Sequence, residues 1–334
     1  MALNSIGDRS HQLMLTSSAN RTKRALSTLT EELASGITSN VSARLGGDYV
    51  YLADIDHRLA KLNGINTAAA EAKLVATGMQ TSLEHMYEST QTMIGAAMSA
   101  SQSTAGPSLP HLAHSAEQQL DAVITMLNTS VGGRSLFAGT ATDQRSVQDT
   151  DTLLTALRTE LAGATTAADV IAAAQAWFDD PAGYDTVFYG GSATSVSPLR
   201  VGEGQEVTLD FRADNDTFKD MLRNLAVGAL IDDPTLGLAP SVQSELIDAA
   251  ALELLSVSDG LTGMRADVGF AEQRIEEAQS RNGAASSAFQ QARTELLEAD
   301  PIDIATQLEI VQFQLEALFS VAARSSRLKL VNFL

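Results

Sequence analysis

The chain has 334 residues, no cysteine and a formal charge of −19, with 44% hydrophobic residues but only 5% aromatic ones. That length exceeds the usual size of one compact domain and leaves room for two or three units. Disulfides, thiolate metal sites and cysteine catalysis are excluded, and so acidic a chain is expected to bind neither nucleic acid nor an anionic membrane.

The apolar content is mostly Ala, Leu, Val and Ile, the composition of helix-rich packing. Charge is unevenly spread: residues 1–50 with 312–334 carry 8 Lys/Arg against 5 Asp/Glu, and the rest carries 14 against 36. Near-neutral ends and an acidic middle suit ends that form interfaces and a middle that faces solvent. The first residues, MALNSIGDRSHQL, place Asp8 and Arg9 where a signal peptide needs an apolar run, and no 18-residue apolar stretch occurs. Neither a cleaved secretory signal nor a membrane span is expected.

In chain order, Leu15, Ala19, Thr22, Leu26, Leu29 and Leu33 recur at steps of 3 and 4, a coiled-coil seam on a first helix that Gly36 ends. Residues 36–49, with Gly46-Gly47-Asp48, read as a loop. A second helix runs from about Tyr49 to the Ser/Thr/Gly/Pro stretch at 103–110. Its register is Leu62, Ile65, Ala69, Ala72, Ala76, Met79, Leu83, Met86, Thr90, Met93 and Ala97. At ~1.5 Å per residue such a helix spans roughly 80 Å, the length of a rod. A further helix starts at Ser108 and Pro110 and runs through Val131 to Gly132-Gly133.

The texture then changes. The span 177–218 holds Trp177, Phe178, Tyr184, Phe188, Tyr189, Phe211 and Phe218, 7 of the 16 aromatic residues, which predicts a separate compact core for residues 145–240. Strand-like runs at Thr186 to Tyr189, Ser195 to Val201 and Val207 to Phe211 are separated by Gly190-Gly191 and Gly202-Glu203-Gly204, the pattern of a small antiparallel sheet. Helices at about 151–161, 167–178 and 215–231 flank it.

After Pro240 the helical pattern returns, with Ile275, Ala278, Asn282, Ala285, Phe289, Ala292, Leu296 and Ala299 in register up to Asp300-Pro301. Asp300 is placed to cap a last helix, Pro301 stands where a missing N–H costs nothing, and Asp303 suits the positive dipole end. That helix carries Ile304, Leu308, Val311, Leu315, Leu318 and Ala322 as a seam. Ile310, Phe313, Ala317, Phe319 and Val321 widen the apolar surface well beyond it, so one intramolecular partner does not suffice.

The fold class expected is therefore mainly α: an elongated antiparallel helical coiled-coil rod formed by N- and C-terminal arms, with a small inserted α+β domain. The divisions are 1–50 (assembly arm), 51–144 (long helical rod), 145–240 (outward-facing insert), 241–300 (returning helices) and 301–334 (assembly helix). Isolated amphipathic helices are marginal in water, so the two extreme ends are expected to be largely unstructured until assembly supplies partners.

Enzyme signatures are weak. His111-x-x-His114-x-x-Glu117 has ligand-like spacing, but HExxH is absent and the residues read as a polar first helical turn. Ser326-Arg327-Leu328-Lys329 lacks the companion motifs of an SxxK enzyme and reads as cations near a helix C-terminus. Gly202-x-Gly204 precedes a strand-like run rather than a helix, so it reads as a turn. Met79, Met86 and Met93 read as a core stripe. No catalysis, cofactor or metal is expected.

The order of parts resembles the flagellin superfamily and, within it, the family of flagellar hook-filament junction proteins. The matching stretches are Leu33-Ala34-Ser35-Gly36, the run from Asn128 to Thr140 (NTSVGGRSLFAGT), Asp267-Val268-Gly269 and Gln273-Arg274-Ile275. The Leu136-Phe137-Ala138-Gly139-Thr140 segment, and an ending from Arg324 to Leu334 without a Gln-Ala-Asn-rich stretch, resemble junction proteins more than flagellin. Gly46-Gly47-Asp48 and Glu298-Ala299-Asp300-Pro301 depart from the family's acidic turns.

The resemblance implies a non-enzymatic axial protein, exported unfolded through the flagellar type III apparatus and ending extracellularly in the bacterial flagellum. Its implied partners are copies of itself, hook-associated protein 1, flagellin and a small flagellar export chaperone. On that reading Leu15, Leu26, Leu29, Leu33, Ile304, Leu308, Val311, Leu315 and Leu318 form the assembly interface, and Leu315, Leu318, Phe319 and Leu328 anchor the chaperone. A flagellin filament subunit and a cytoplasmic coiled-coil scaffold are the alternatives.

Overall fold

The computed structural model describes residues 3–102 and 109–331, with side chains described for 10–100 and 109–324. The chain is mainly α, with a small inserted domain. It divides into two compact units, residues 1–62 with 284–334, and residues 63–283.

The first unit is built on α1 (Leu3–Ser35), the short α2 (Val41–Arg44), the first part of α3 (Val50–Gln102), the last part of α8 (Pro240–Leu297), and α9 (Pro301–Val331). Gly36 ends α1 by adopting φ +69, a conformation that costs a residue with a Cβ. Asp300 caps α9 as its position requires, accepting from the amides of Ile302 at 2.9 Å and Asp303 at 3.4 Å. Asn40 caps α2 through Ala43.

In the second unit α3 and α8 run antiparallel. Thr77 meets Glu272 at 2.9 Å and Gln91 meets Ser258 at 2.7 Å, with Glu84 bound to Arg265 between them. Each seven-residue step along α3 is matched by seven back along α8, the spacing that a heptad register imposes. Every predicted register position of α3 from Ile65 to Ala97 is buried. Met79, Met86 and Met93 are in this buried stripe.

The fourth helix, α4 (Leu109–Leu127), ends four residues before the predicted Val131. Gly132 and Gly133, both at positive φ, instead turn a two-residue hairpin between β1 (Ser130–Val131) and β2 (Arg134–Ser135). The expected start at Ser108 lies outside the described residues. The insert continues with α5 (Thr150–Glu160), α6 (Ala167–Asp179), the hairpin β3 (Leu199–Gly202) with β4 (Gln205–Val207), and α7 (Asp216–Leu230). The three helices carry side-chain caps at Asp149, Thr166 and Asn215; Thr166 with Asp169 forms a complete capping box.

Two expectations are corrected. Residues Tyr184–Phe188 form one π-helical turn and no strand. Tyr184, Phe188 and Tyr189 are buried while Asp185 to Val187 face out, a four- and five-residue spacing that strand alternation cannot give. The aromatic residues also have no core of their own. Trp177, Phe178, Tyr184, Phe188 and Phe218 belong to one continuous core that includes Ala69 to Ala97 of α3, Leu112 to Leu127 of α4 and Leu246 to Ala278 of α8. The insert is thus packed onto the helices rather than standing apart from them.

Among the described residues, no helix is long and apolar enough to cross a membrane.

Candidate assembly surface

Helices α1 and α9 pair antiparallel, as the sequence allows: Leu29 is buried with Ile304, and Lys23 lies beside Phe319. Leu29, Ala299 and Ile304 are buried together, with Leu308 and Val311 packed against them. Leu15, Ala19, Thr22 and Leu26 on α1 are half-buried, and so are Leu315, Leu318 and Ala322 on α9.

Leu33 departs from this set and is 45% exposed. Its place is taken by Glu32, one position earlier, which is buried and accepts from the Ser39 amide at 2.6 Å and from the Ser39 hydroxyl. A step of three after Leu29 turns this carboxylate inward, where it holds the chain just past the end of α1.

The two turns beside the pair are tied together by backbone. The Thr38 amide donates to Leu297 O at 2.9 Å, the Ala299 amide donates to Gly36 O at 2.9 Å, and Ile37 bridges Glu298. The Arg44 side chain donates to Leu296 O at 3.3 Å. Ala299 is thus within this clasp, and Gly46-Gly47-Asp48 follows Arg44 closely in sequence.

The outer side of the pair is left apolar. Ile302 is 78% exposed and Phe313 72%, and Leu13, Met14, Ile310, Phe319 and Val321 are also exposed. Exposed large apolar residues gathered on one element mark an interaction surface. Lys23 Nζ lies 5.7 Å from the centre of the Phe319 ring and covers part of it. Sequence reasoning found Ile310, Phe313, Phe319 and Val321 by their excess over the seam and missed Ile302, Leu13 and Met14, which fall between seam positions. The signal was present, since none fits the heptad steps. The side chain of Leu328, and those of Ser326 to Lys329 with it, lie outside the described residues.

The segment 128–140 is a structural clasp of the second unit. Asn128 exchanges two hydrogen bonds with the backbone of Val147, at 3.0 and 3.1 Å. Val131 and Leu136 press on α3 where Gly78 leaves room; a Cβ there would stand 2.8 Å from Val131. Phe137 is fully buried, edge-on to Phe218 at 5.7 Å, and its carbonyl accepts from the Ala213 amide at 2.9 Å. Gly139 adopts φ +58, and any Cβ would lie 2.5 Å from Ser192 O, so only glycine fits. Leu136, Phe137, Ala138 and Gly139 are thus buried, whereas Thr140 is exposed and donates to the Ser192 hydroxyl at 2.9 Å.

The weaker candidates are placed as follows. His114 Nδ1 lies 3.7 Å from Glu117 and its Nε2 pairs with Gln118 at 3.1 Å, all on an exposed helix face with His111. Among the described residues no group of three or more His, Asp or Glu side chains gathers where it could hold a metal. Gly202 and Gly204 flank the turn of the β3–β4 hairpin.

No known family matches the chain by sequence, and no curated protein does. In fold the chain is similar to solved proteins of the flagellum. A flagellar hook-associated protein from Vibrio parahaemolyticus superposes with a TM-score of 0.52 at 12% identity, covering 75% of this chain and 99% of that one. FlgL from Bacillus cereus superposes with a TM-score of 0.51 at 16% identity, covering 72% of this chain and all of that one.

Proposed function

We propose that this chain is a structural subunit of the bacterial flagellum, without catalytic activity, that forms the junction layer between hook-associated protein 1 and the flagellin filament and is needed for motility. The observation that carries this reading is the α1·α9 pair, whose seam is closed while Ile302, Ile310 and Phe313 still face out. A helix pair that leaves such a face open is completed by further copies of itself or by neighbouring axial proteins. The shared fold with a hook-associated protein and FlgL supports the same reading, as does the resemblance carried by residues 128–140. A cell lacking the gene is expected to export flagellin but release it as monomer into the medium; intact filaments and normal swimming would remove the assignment.

An export chaperone is part of the same proposal. Leu315, Leu318, Phe319 and Leu328 are the anchors, presented as an amphipathic helix to an apolar groove. Leu315 and Leu318 are half-buried in the pair with α1, so chaperone capture and closure of that pair exclude each other. The protein is therefore held open until export and closes on α1 afterwards. Truncation after Asp300 is expected to abolish co-purification of the chaperone while residues 63–283 keep their helical circular dichroism. Wild-type chaperone affinity in the truncated protein would place the binding site elsewhere.

A further inference from the structure

The paired helices α1 and α9 divide their charge between them. Residues 10–30 hold Arg21, Lys23 and Arg24 and no acidic side chain, whereas residues 302–323 hold Asp303, Glu309 and Glu316 and no basic one. Opposite charges on two paired helices usually close salt bridges along the flanks of the seam. Here Arg21, Arg24, Glu309 and Glu316 are exposed and, among the described residues, in no salt bridge. Arg24 donates along its own helix, to Asn20 O at 3.4 Å, and Lys23 is the cation that does reach across, to the Phe319 ring.

Helix geometry explains the missing bridges. Arg24 is two residues from both Thr22 and Leu26 of the seam, and Phe313 is two from both Val311 and Leu315. Two residues are about 200° of helical turn, so both side chains point to the back of the pair. On the back of α9, Phe313 is 72% exposed. Glu309 stands one turn before it and Glu316 one turn after, at spacings of four and three that put all three on one face. An open ring between two carboxylates suits a guanidinium, which stacks on the ring, pairs with a carboxylate and lays its stem on apolar neighbours, here Ile310. The back of α1 presents two guanidiniums three residues apart, Arg21 and Arg24.

We propose that Glu309, Phe313 and Glu316 of one copy receive Arg21 and Arg24 of a second copy, so that copies join head to tail, the back of α9 against the back of the next α1. This rests on the assembly reading above and names the partner of that surface. Copies set around one axis keep the same direction, so the next α1 meets α9 antiparallel and at the level it has in its own pair. Leu29 lies with Ile304; counting in opposite directions from there puts Arg24 level with Glu309, and Arg21 level with Gln312, beside Phe313. A two-fold dimer through the back of α9 would instead set carboxylates against carboxylates. A head-to-tail contact closes into a ring or winds into a helix.

Charge exchange tests the pairing in cells whose own gene is deleted. Arg21→Glu with Arg24→Glu makes both backs acidic, and Glu309→Arg with Glu316→Arg makes both basic. Each variant, present alone, is expected to be exported but lost from the flagellum, with swimming abolished. Cells that produce the two variants together should swim, because each acidic α1 then meets a basic α9 and each basic α1 an acidic α9. The chain with all four substitutions should swim too. Circular dichroism of the purified full chains checks that these exposed substitutions leave folding unchanged. Normal swimming with either variant alone, or a loss that neither combination rescues, overturns the pairing; the second result would mean that the arginines meet a different protein. Intact filaments in the deletion strain itself would remove the flagellar reading instead, before any variant is compared.

Discussion

Phe137→Ala is expected to destabilise the protein by about 3–5 kcal/mol, the range for removing a fully buried aromatic side chain. The ring is completely enclosed and edge-on to Phe218, at the point where the 128–140 segment meets the start of α7. A hole there cannot be filled from solvent, and the β1–β2 hairpin beside it is too short to collapse inward. Urea unfolding followed by circular dichroism measures the loss as a fall in midpoint. Phe270→Ala provides the contrast, because that ring on α8 is 66% exposed and its removal should change stability by no more than about 0.5 kcal/mol. Equal losses at the two positions would mean that the Leu-Phe-Ala-Gly-Thr segment is not a packing clasp.

The second large effect concerns assembly rather than folding. Ile310→Asp with Phe313→Asp should leave the folded monomer unchanged, since both side chains face away from the seam of Ile304, Leu308 and Val311. Incorporation into the flagellum should nevertheless be lost. Each large apolar anchor contributes on the order of 2 kcal/mol to a buried interface, so two removed together weaken association about a thousandfold. Charge introduced into the closed interface adds to the loss. The readout is the swimming of cells carrying the double variant, with the protein's abundance in the medium as the check that export survived. Normal motility would show that the outer face of α9 is not the assembly surface.

Much of this fold was legible because the chain is mostly helix, and helices announce themselves by spacing. The run from Ile65 to Ala97 holds its register without a slip, and its burial follows the register. The hairpin at Gly202 to Gly204 was legible for a different reason, as a turn signal between two short apolar runs. Partnership was not legible. The aromatic density of 177–218 looked like a core, and nothing in the spacing tells that those rings are shared with α3, α4 and α8. The 186–189 stretch was misread because Thr186, Val187 and Tyr189 have strand-like propensity, while of residues 184–189 only Tyr184, Phe188 and Tyr189 turn inward. Leu33 was misplaced because a heptad extrapolated to the end of a helix ignores the polar residue, Glu32, that the following loop recruits.

The backbone bonds that join Gly36 to Ala299 and Thr38 to Leu297 have a kinetic meaning. They join the turns that follow the first helix and precede the last, and the α1–α9 contacts beyond them, such as Lys23 with Phe319, close a loop longer still, so pairing the two arms carries a large loop entropy. The second unit is one unbroken stretch of sequence, 63–283, and meets its own contacts while the chain is still growing. The arm has no such option. On the ribosome α1 waits for α9, and a chain that lacks its last thirty or so residues leaves the first helix permanently without its mate.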